Sequence, residues 1–267
     1  MNQVDAIARA VLYEGYMLYP YGASNIKNRQ RFTFGGVYPA AFDVSTMLTE
    51  CLYEGDATDL EVTVRFLQLL PSAEAVERIV AGPGIIAFDP IQGRVDLQHE
   101  IVRAGLERLS VTVTNTSPVR PQDRDEALLH TMLSTHAVLR TNAGGFVSMT
   151  DPPESLRADV AACKNAGVWP VLVGVPGQRD TMLASPIILE DYARVAEESR
   201  GDFFDGTEID ELLSLSIMSL TDEEKAEMRQ DGRTRQLLER TESMSADDLM
   251  KLHGMMRGAR LLREDAP

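Results

Sequence analysis

Four stretches of this chain change side-chain character at every second residue, and that period limits what it can fold into more than any other feature. In STMLTECLY (45–53), Met47, Thr49, Cys51 and Tyr53 share one face. In LEVTVRFLQ (60–68), Leu60, Val62, Val64 and Phe66 alternate with Glu61, Thr63 and Arg65. RVDLQHEIV (94–102) sets Val95, Leu97 and Ile101 against Arg94, Asp96 and Glu100. RLSVTVTNTS (108–117) alternates Leu109, Val111 and Val113 with small hydroxyl residues. A period of two belongs to strands with one buried face, and its repetition predicts an antiparallel sheet. GDATD (55–59) fits a turn that would join the first two strands as a hairpin, and the Asn, Ser and Pro ending VTVTNTSPV suit a strand turning a corner. Further strands are expected at 131–140 and 145–149, with Gly144 and Gly145 at the bend between them. The expectation for 45–150 is an immunoglobulin-like β-sandwich.

The flanks read differently. Val4, Ile7, Ala8, Val11 and Leu12 recur at helical spacing over 2–14, and Gly15 is placed to end that helix. A loop broken by Pro20, Gly22, Gly35, Gly36 and Pro39 follows, with a short strand near Arg31–Phe34. DPPESLRADVAACKNAG (151–167) has prolines at a helix start and Gly167 at its end, with Leu156, Val160 and Cys163 facing inward. VWPVLVG (168–174) and ASPIILED (184–191) read as buried strands whose prolines confine them to sheet edges or strand ends. The tail predicts helices near 208–219, 222–229, 234–242 and 246–260; Thr207 with Asp210 and Thr221 with Glu224 have the spacing of reciprocal caps. The fold class is therefore α+β: 1–44 an N-terminal helix and Tyr/Arg-rich loop, 45–150 the sandwich, 151–206 a mixed segment packing on it, and 207–267 an acidic helical tail.

Charge excludes several classes of partner. The net charge is −15, and residues 187–267 hold 20 acids against 11 bases. Such a field repels the phosphate backbone of nucleic acids and anionic membrane surfaces alike. No apolar run approaches the roughly 20 residues of a membrane span, and the start of the chain lacks the apolar core of a secretory signal, so a cytoplasmic location is expected. The only cysteines, Cys51 and Cys163, form no CxxC pair, and His99, His130, His136 and His253 are scattered, so neither metal nor cofactor is called for.

The phosphate loop GxxxxGK[ST], HExxH, GxSxG and SxxK are absent, and GGVYP and AGPGIIAFD lack the strand–loop–helix frame of a dinucleotide site. Ser134 and His136 stand two apart on a predicted strand, a spacing open to nucleophilic chemistry or to a half-buried histidine beside a hydroxyl. Cys163 has Lys164 beside it, yet its helical spacing points it inward, and Cys51 also reads as a small buried hydrophobe. Whether Cys51, Cys163, His130 and His136 converge is a question for the fold. Glu197, Glu198, Asp202, Asp205, Glu208 and Asp210 could hold a hard cation or form a solvated acidic face, and they do not match the twelve-residue calcium loop. Phe203 and Phe204 among these charges either plug the core or anchor a partner.

YPYGASNIKNRQRFTFGGVYP (19–39) interleaves Lys27, Arg29 and Arg31 with Tyr19 and Tyr21. Arginine and tyrosine concentrate at interface hot spots. The same cations could instead pair with the chain's own acids over packed tyrosines, or fork onto a small anion. Together AVLYEGYMLYPYGASNIKNRQRFTFGGVYP, LSVTVTNTSP, WPVLVG, LASPIILEDY, GDFFDGTEIDELL, LTDEEK and LMKLHG resemble the protein family encoded beside uptake-type nickel–iron hydrogenases in actinobacteria and some other bacteria. The resemblance spans nearly the whole chain and brings no catalytic residue with it. It implies a non-catalytic accessory, assembly or complex-subunit role, with a hydrogenase subunit or maturation factor as protein partner. Tyr19, Tyr21, Lys27, Arg29, Arg31, Phe203 and Phe204 are the residues expected at the contact. The alternative is a small-molecule enzyme, or a metal- or ligand-carrying module, with a pocket the sequence does not reveal.

Overall fold

The computed structural model describes residues 34–55, 59–72 and 75–193, the helical positions Asp5, Ile7, Ala8 and Leu12, and, in the tail, residues 217–218, 220–229, 235, 238–239 and 241–243. Ten strands form two antiparallel five-stranded sheets. They are β1 (Thr46–Glu54), β2 (Glu61–Leu69), β3 (Ala75–Ala81), β4 (Gly84–Phe88), β5 (Ile91–Arg103), β6 (Leu106–Asn115), β7 (Leu133–Arg140), β8 (Gly145–Phe146), β9 (Trp169–Leu172) and β10 (Thr181–Ser185). The first sheet runs β4-β5-β6-β1-β8 and the second β3-β2-β7-β10-β9.

Alternation decides how the sheets meet. Met47, Cys51 and Tyr53 of β1 and Leu109, Val111 and Val113 of β6 are buried in one core with Val62, Val64 and Phe66 of β2 and Ala137 and Leu139 of β7. The inward rows of β1, β2 and β6 match those expected from the sequence. The hairpin expected between β1 and β2 does not form: β1 pairs with β6 and β8, and β2 with β3 and β7. Both strands carry an apolar row, and placing them in opposite sheets lets the two rows face each other. A polar staple fixes the crossing, with Tyr53 Oη and Asp59 Oδ1 lying 2.9 and 3.0 Å from Thr141 Oγ1 while Asn142 N donates to Asp59 Oδ2 at 2.9 Å. Gly144 must be glycine here, since its φ is 74° and a Cβ would lie 2.4 Å from the Glu54 carbonyl oxygen.

Three more expectations change. β3 and β4 are strands that the reading of 69–90 did not anticipate. Ile101, expected on the buried row of β5, is 77% exposed, because β5 continues past the ground covered by the opposite sheet. The run 168–174 supplies β9, whereas β10 is Thr181–Ser185 and shares only Ala184 and Ser185 with the strand expected over 184–191; both strands hydrogen-bond into the second sheet beside β7. Their prolines fall where expected, with Pro170 on the edge strand β9 and Pro186 just beyond β10.

Each sheet also has a covered outer face. A 3-10 turn, Glu154–Leu156, and a short helix, Arg157–Ala161, occupy part of the predicted 151–167 helix; Leu156, Val160 and Cys163 pack there on Leu52, Leu106 and Val147 of the first sheet. Ile7 and Ala8 of the N-terminal helical residues pack on Val138, Val171 and Leu183 of the second, and Asp5 pairs with Arg65 at 2.9 Å. Asp191 locks the end of this unit: its Oδ1 accepts from Leu172 N at 2.7 Å, and its Oδ2 from Ser148 Oγ at 2.5 Å and Thr150 Oγ1 at 2.8 Å.

The chain divides into two compact units, one made of Met1–Met17 and Gln30–Val195, the other of Leu18–Arg29 and Ala196–Pro267. In the second, the helix Asp222–Met228 begins with the expected reciprocal cap, Glu224 N donating to Thr221 Oγ1 at 3.3 Å and Thr221 N to Glu224 Oε2 at 2.9 Å. Ile217, Met228 and Leu238 share a small buried cluster, and Glu242 lies 3.7 Å from Lys225 and 3.6 Å from Arg229. The expected helices around Thr207 and over 246–260 lie outside the described residues. Among the described residues no helix is long and apolar enough to cross a membrane.

One buried amide ties the sandwich to the segment before it. Asn115, 2% exposed, donates through Nδ2 to the Val37 and His130 carbonyls at 2.9 and 2.7 Å and accepts from Ser117 N at 2.9 Å. Asn115→Ala strands these groups, and the expected loss is about 2–4 kcal/mol of unfolding free energy in urea denaturation. A loss below about 0.5 kcal/mol would show that water replaces the amide at little cost.

Candidate functional site

The residues with chemical potential do not gather in one place. Tyr19, Tyr21, Lys27, Arg29, Arg31, Phe203 and Phe204 lie outside the described residues, as do Glu197, Glu198, Asp202, Asp205, Glu208, Asp210 and His253. The end of the 19–39 motif is described, and there it serves the fold. Val37 forms a two-way bridge with Met132, and Gly35 O accepts from Thr135 N at 2.9 Å. Gly35 has φ 55°, and a Cβ on it would lie 2.7 Å from Pro186 Cβ and 3.0 Å from Thr135 N, so the FGG turn clips onto the start of β7 only as glycine.

That clip sits against a distortion in β7. Between the pairs Arg65↔His136 and Leu67↔Leu133 the register shifts, so that Ser134 and Thr135 together oppose Phe66 alone. Ser134 takes φ 49°, a left-handed conformation rare for a residue with a side chain. The alternation that would set Ser134 and His136 side by side is thereby broken. His136 Nδ1 instead lies 3.0 Å from the Ser134 carbonyl oxygen. A carbonyl only accepts, so Nδ1 carries the hydrogen and Nε2 the lone pair. That Nε2 is buried and has no hydrogen-bond partner. Burial, reinforced by Arg65 on the neighbouring strand, pushes the His136 pKa down to about 4 against the pull of the Ser134 carbonyl. The imidazole is neutral at physiological pH and turned away from the role of base toward Ser134.

The cysteines are separate from this locus. Cys51 lies in the inter-sheet core, where burial pushes its thiol well above the ordinary range. Cys163 is half-buried outside the first sheet, its Sγ 3.6 Å from the Asp159 carbonyl oxygen that it donates to. Burial raises its pKa, and Arg108 beside it only partly opposes this. Both thiols are free and protonated. His130 lies at the end of the helix Arg124–Leu129, where its carbonyl serves Asn115. Cys51, Cys163, His130 and His136 thus occupy the core, the outside of one sheet, a helix end and the other sheet. Among the described residues no group of three His, Cys, Asp or Glu side chains is placed to hold a metal ion.

One polar constellation went unread in the sequence. Ser148 and Thr150 meet Asp191 across 43 and 41 residues, and no spacing rule signals a contact of that range. Ser148 Oγ also accepts from Asp151 N at 2.8 Å. The carboxylate is spent on two hydroxyls and the Leu172 amide, which suits a structural clasp.

No known protein-family model matches this chain, and no curated protein matches it.

Two measurements test these assignments. An unfolded histidine titrates near 6.5 and His136 near 4 in the fold, so its contribution is fully present above pH 6.5 and is lost as pH falls toward 4. The lost stability is about 3 kcal/mol for a shift of this size. His136→Gln should show a correspondingly shallower decline between pH 7 and 4 in urea unfolding; identical slopes would mean the ring is solvated. In the native protein a disulfide reagent should modify Cys163 slowly and Cys51 only after denaturation, and rapid labelling of both would contradict the burial described.

Proposed function

We propose that this chain is a cytoplasmic, non-catalytic accessory protein that acts by protein–protein contact in the assembly or stabilisation of a nickel–iron hydrogenase. What supports this reading is the 19–39 motif, whose interleaved cations and tyrosines carry the resemblance noted above. The structure adds a physical reason to look there. The last residues of that motif are held near the start of β7, where Gly35 O accepts from Thr135 N and Val37 bridges Met132 just before the strand. The chemistry of the sandwich leans the same way, because the Ser134 carbonyl holds the Nδ1 proton of His136 and both thiols are protonated.

The proposed scaffold is immunoglobulin-like. In that topology strands B, E and D share one sheet and C′, C, F and G the other. The order β1-β6-β5 fits the first group and β3-β2-β7-β10 the second, with the helix Arg124–Leu129 in the connection that corresponds to E–F. Frameworks of this kind present adaptable loops on a rigid core, which suits a docking module.

Affinity capture of the full chain from a native host, read by mass spectrometry, tests the function. Hydrogenase subunits or maturation factors should co-purify, and Arg29→Ala/Arg31→Ala should cut their recovery about tenfold or more, as expected when hot-spot side chains are removed. Recovery of neither class of protein by the wild type would sink the proposal.

A further inference from the structure

The sandwich has four sheet edges, and they are not protected alike. An edge strand offers a row of unpaired amides and carbonyls, and natural proteins blunt such edges by shortness, charge or proline. β8 is two residues long. β9 contains Pro170, which has no N–H to offer. β3 carries Glu77 and Arg78. β4 reads Gly-Ile-Ile-Ala-Phe, with no charge and no proline, and its Ile85 is 84% exposed.

β4 is also firmly held from within. Ile86 is buried in the inter-sheet core, and the Phe88 ring packs edge-on against Phe66 at 5.9 Å with the Arg78 guanidinium 4.9 Å above it. The strand is therefore a preformed template, with its inner face anchored and its outer face bare.

We infer that β4 is a pairing edge for a second copy of this chain, joining the two first sheets into one antiparallel sheet across a two-fold axis. Self-complementarity selects this occupant. With the axis at Ile86, Ile85 of one copy faces Ala87 of the other and Gly84 faces Phe88, a large side chain opposite a small one in both pairs, while the two Ile86 side chains on the axis point into their own cores. An aromatic ring opposite an edge glycine covers backbone that the glycine leaves bare. The axis also makes every contact twice, as closed symmetric pairing requires.

Electrostatics allows the approach at this edge. Two chains of net charge −15 repel each other, but β4 contributes no charge and the neighbouring Arg94 of β5 is neutralised by Asp96 at 2.9 Å. Added salt should therefore tighten the dimer by screening the remaining repulsion. A ladder of five residues is well below the roughly 1,200 Å² of a stable complex, so association is reversible and concentration-dependent. This dimer stands or falls independently of the hydrogenase reading.

The test is sedimentation equilibrium of the full chain from about 1 µM to about 1 mM, the range in which a small interface reveals its Kd. Wild type should shift from monomer to dimer, more readily at higher salt, while the amides of 85–88 gain protection from hydrogen exchange. Ile85→Lys, at an exposed position that leaves the fold intact, should raise the dissociation constant about tenfold or more by placing a charge on the edge. Ile188→Lys, at a position 75% exposed and outside the first sheet, should stay within about twofold of wild type. The inference is overturned if wild type remains monomeric throughout, if Ile85→Lys dimerises as well as wild type, or if both lysine variants weaken the dimer alike. Protection of β4 only on addition of a foreign polypeptide would also overturn it and would assign the edge to another protein's strand.

Discussion

The structure depends on a steric condition: two rows of alternating apolar side chains must face each other across about 10 Å and interdigitate. Cys51, Tyr53, Val111 and Val113 present one row, and Val62, Val64, Phe66 and Leu139 the other. A slip of one residue in any central strand would turn its row to the outside and bring its charged or hydroxyl residues in. Asn115 with its carbonyls and Thr141 with Tyr53 show polar groups inside that are satisfied by specific partners, whereas His136 Nε2 is buried without one. Such bonds discriminate between arrangements more than they add net stability, because each group would otherwise be bonded to water.

The same condition explains what the sequence disclosed. The inward residues of β1, β2 and β6 could be read directly, because half-burial writes a period of two into the residues themselves. Partner choice is not written that way, and GDATD looked like a hairpin turn although the chain crosses there between sheets. β3 and β4 lacked the signal for a related reason: an edge strand covered on one side only is under weaker compositional pressure, and AVERIVA and GIIAF show no clean alternation. The Ser134 distortion left no trace because a left-handed serine cannot be told from an extended one by composition. Ser134 and His136 therefore looked like a facing pair, whereas the bulge turns the imidazole onto its neighbour's carbonyl. The Tyr/Arg run was conspicuous in the sequence; the structure describes the motif from Phe34 onward, where Gly35 and Val37 bond to Thr135 and Met132.

These observations give a consistent division of labour. Polar chemistry inside the sandwich is bound up in holding strands, corners and covering segments together, as at Asp191 and Asp59. A histidine kept neutral by burial and thiols kept protonated make the interior chemically quiet near neutral pH.

The crossing between β1 and β2 has a consequence for how the protein is made. β1 finds its ladder partners only later in the chain, in β6 and β8, and β2 lies between β3 and β7, with β10 and β9 completing the sheet still later. As the chain leaves the ribosome, β1 is complete at Glu54 while its long ladder partner begins only at Leu106, so its backbone edges stay open while the intervening strands are made. Long-range pairing of this kind slows folding and prolongs exposure to aggregation. Synthesis in the cell therefore puts a premium on shielding the nascent N-terminal half until β6 and β7 emerge.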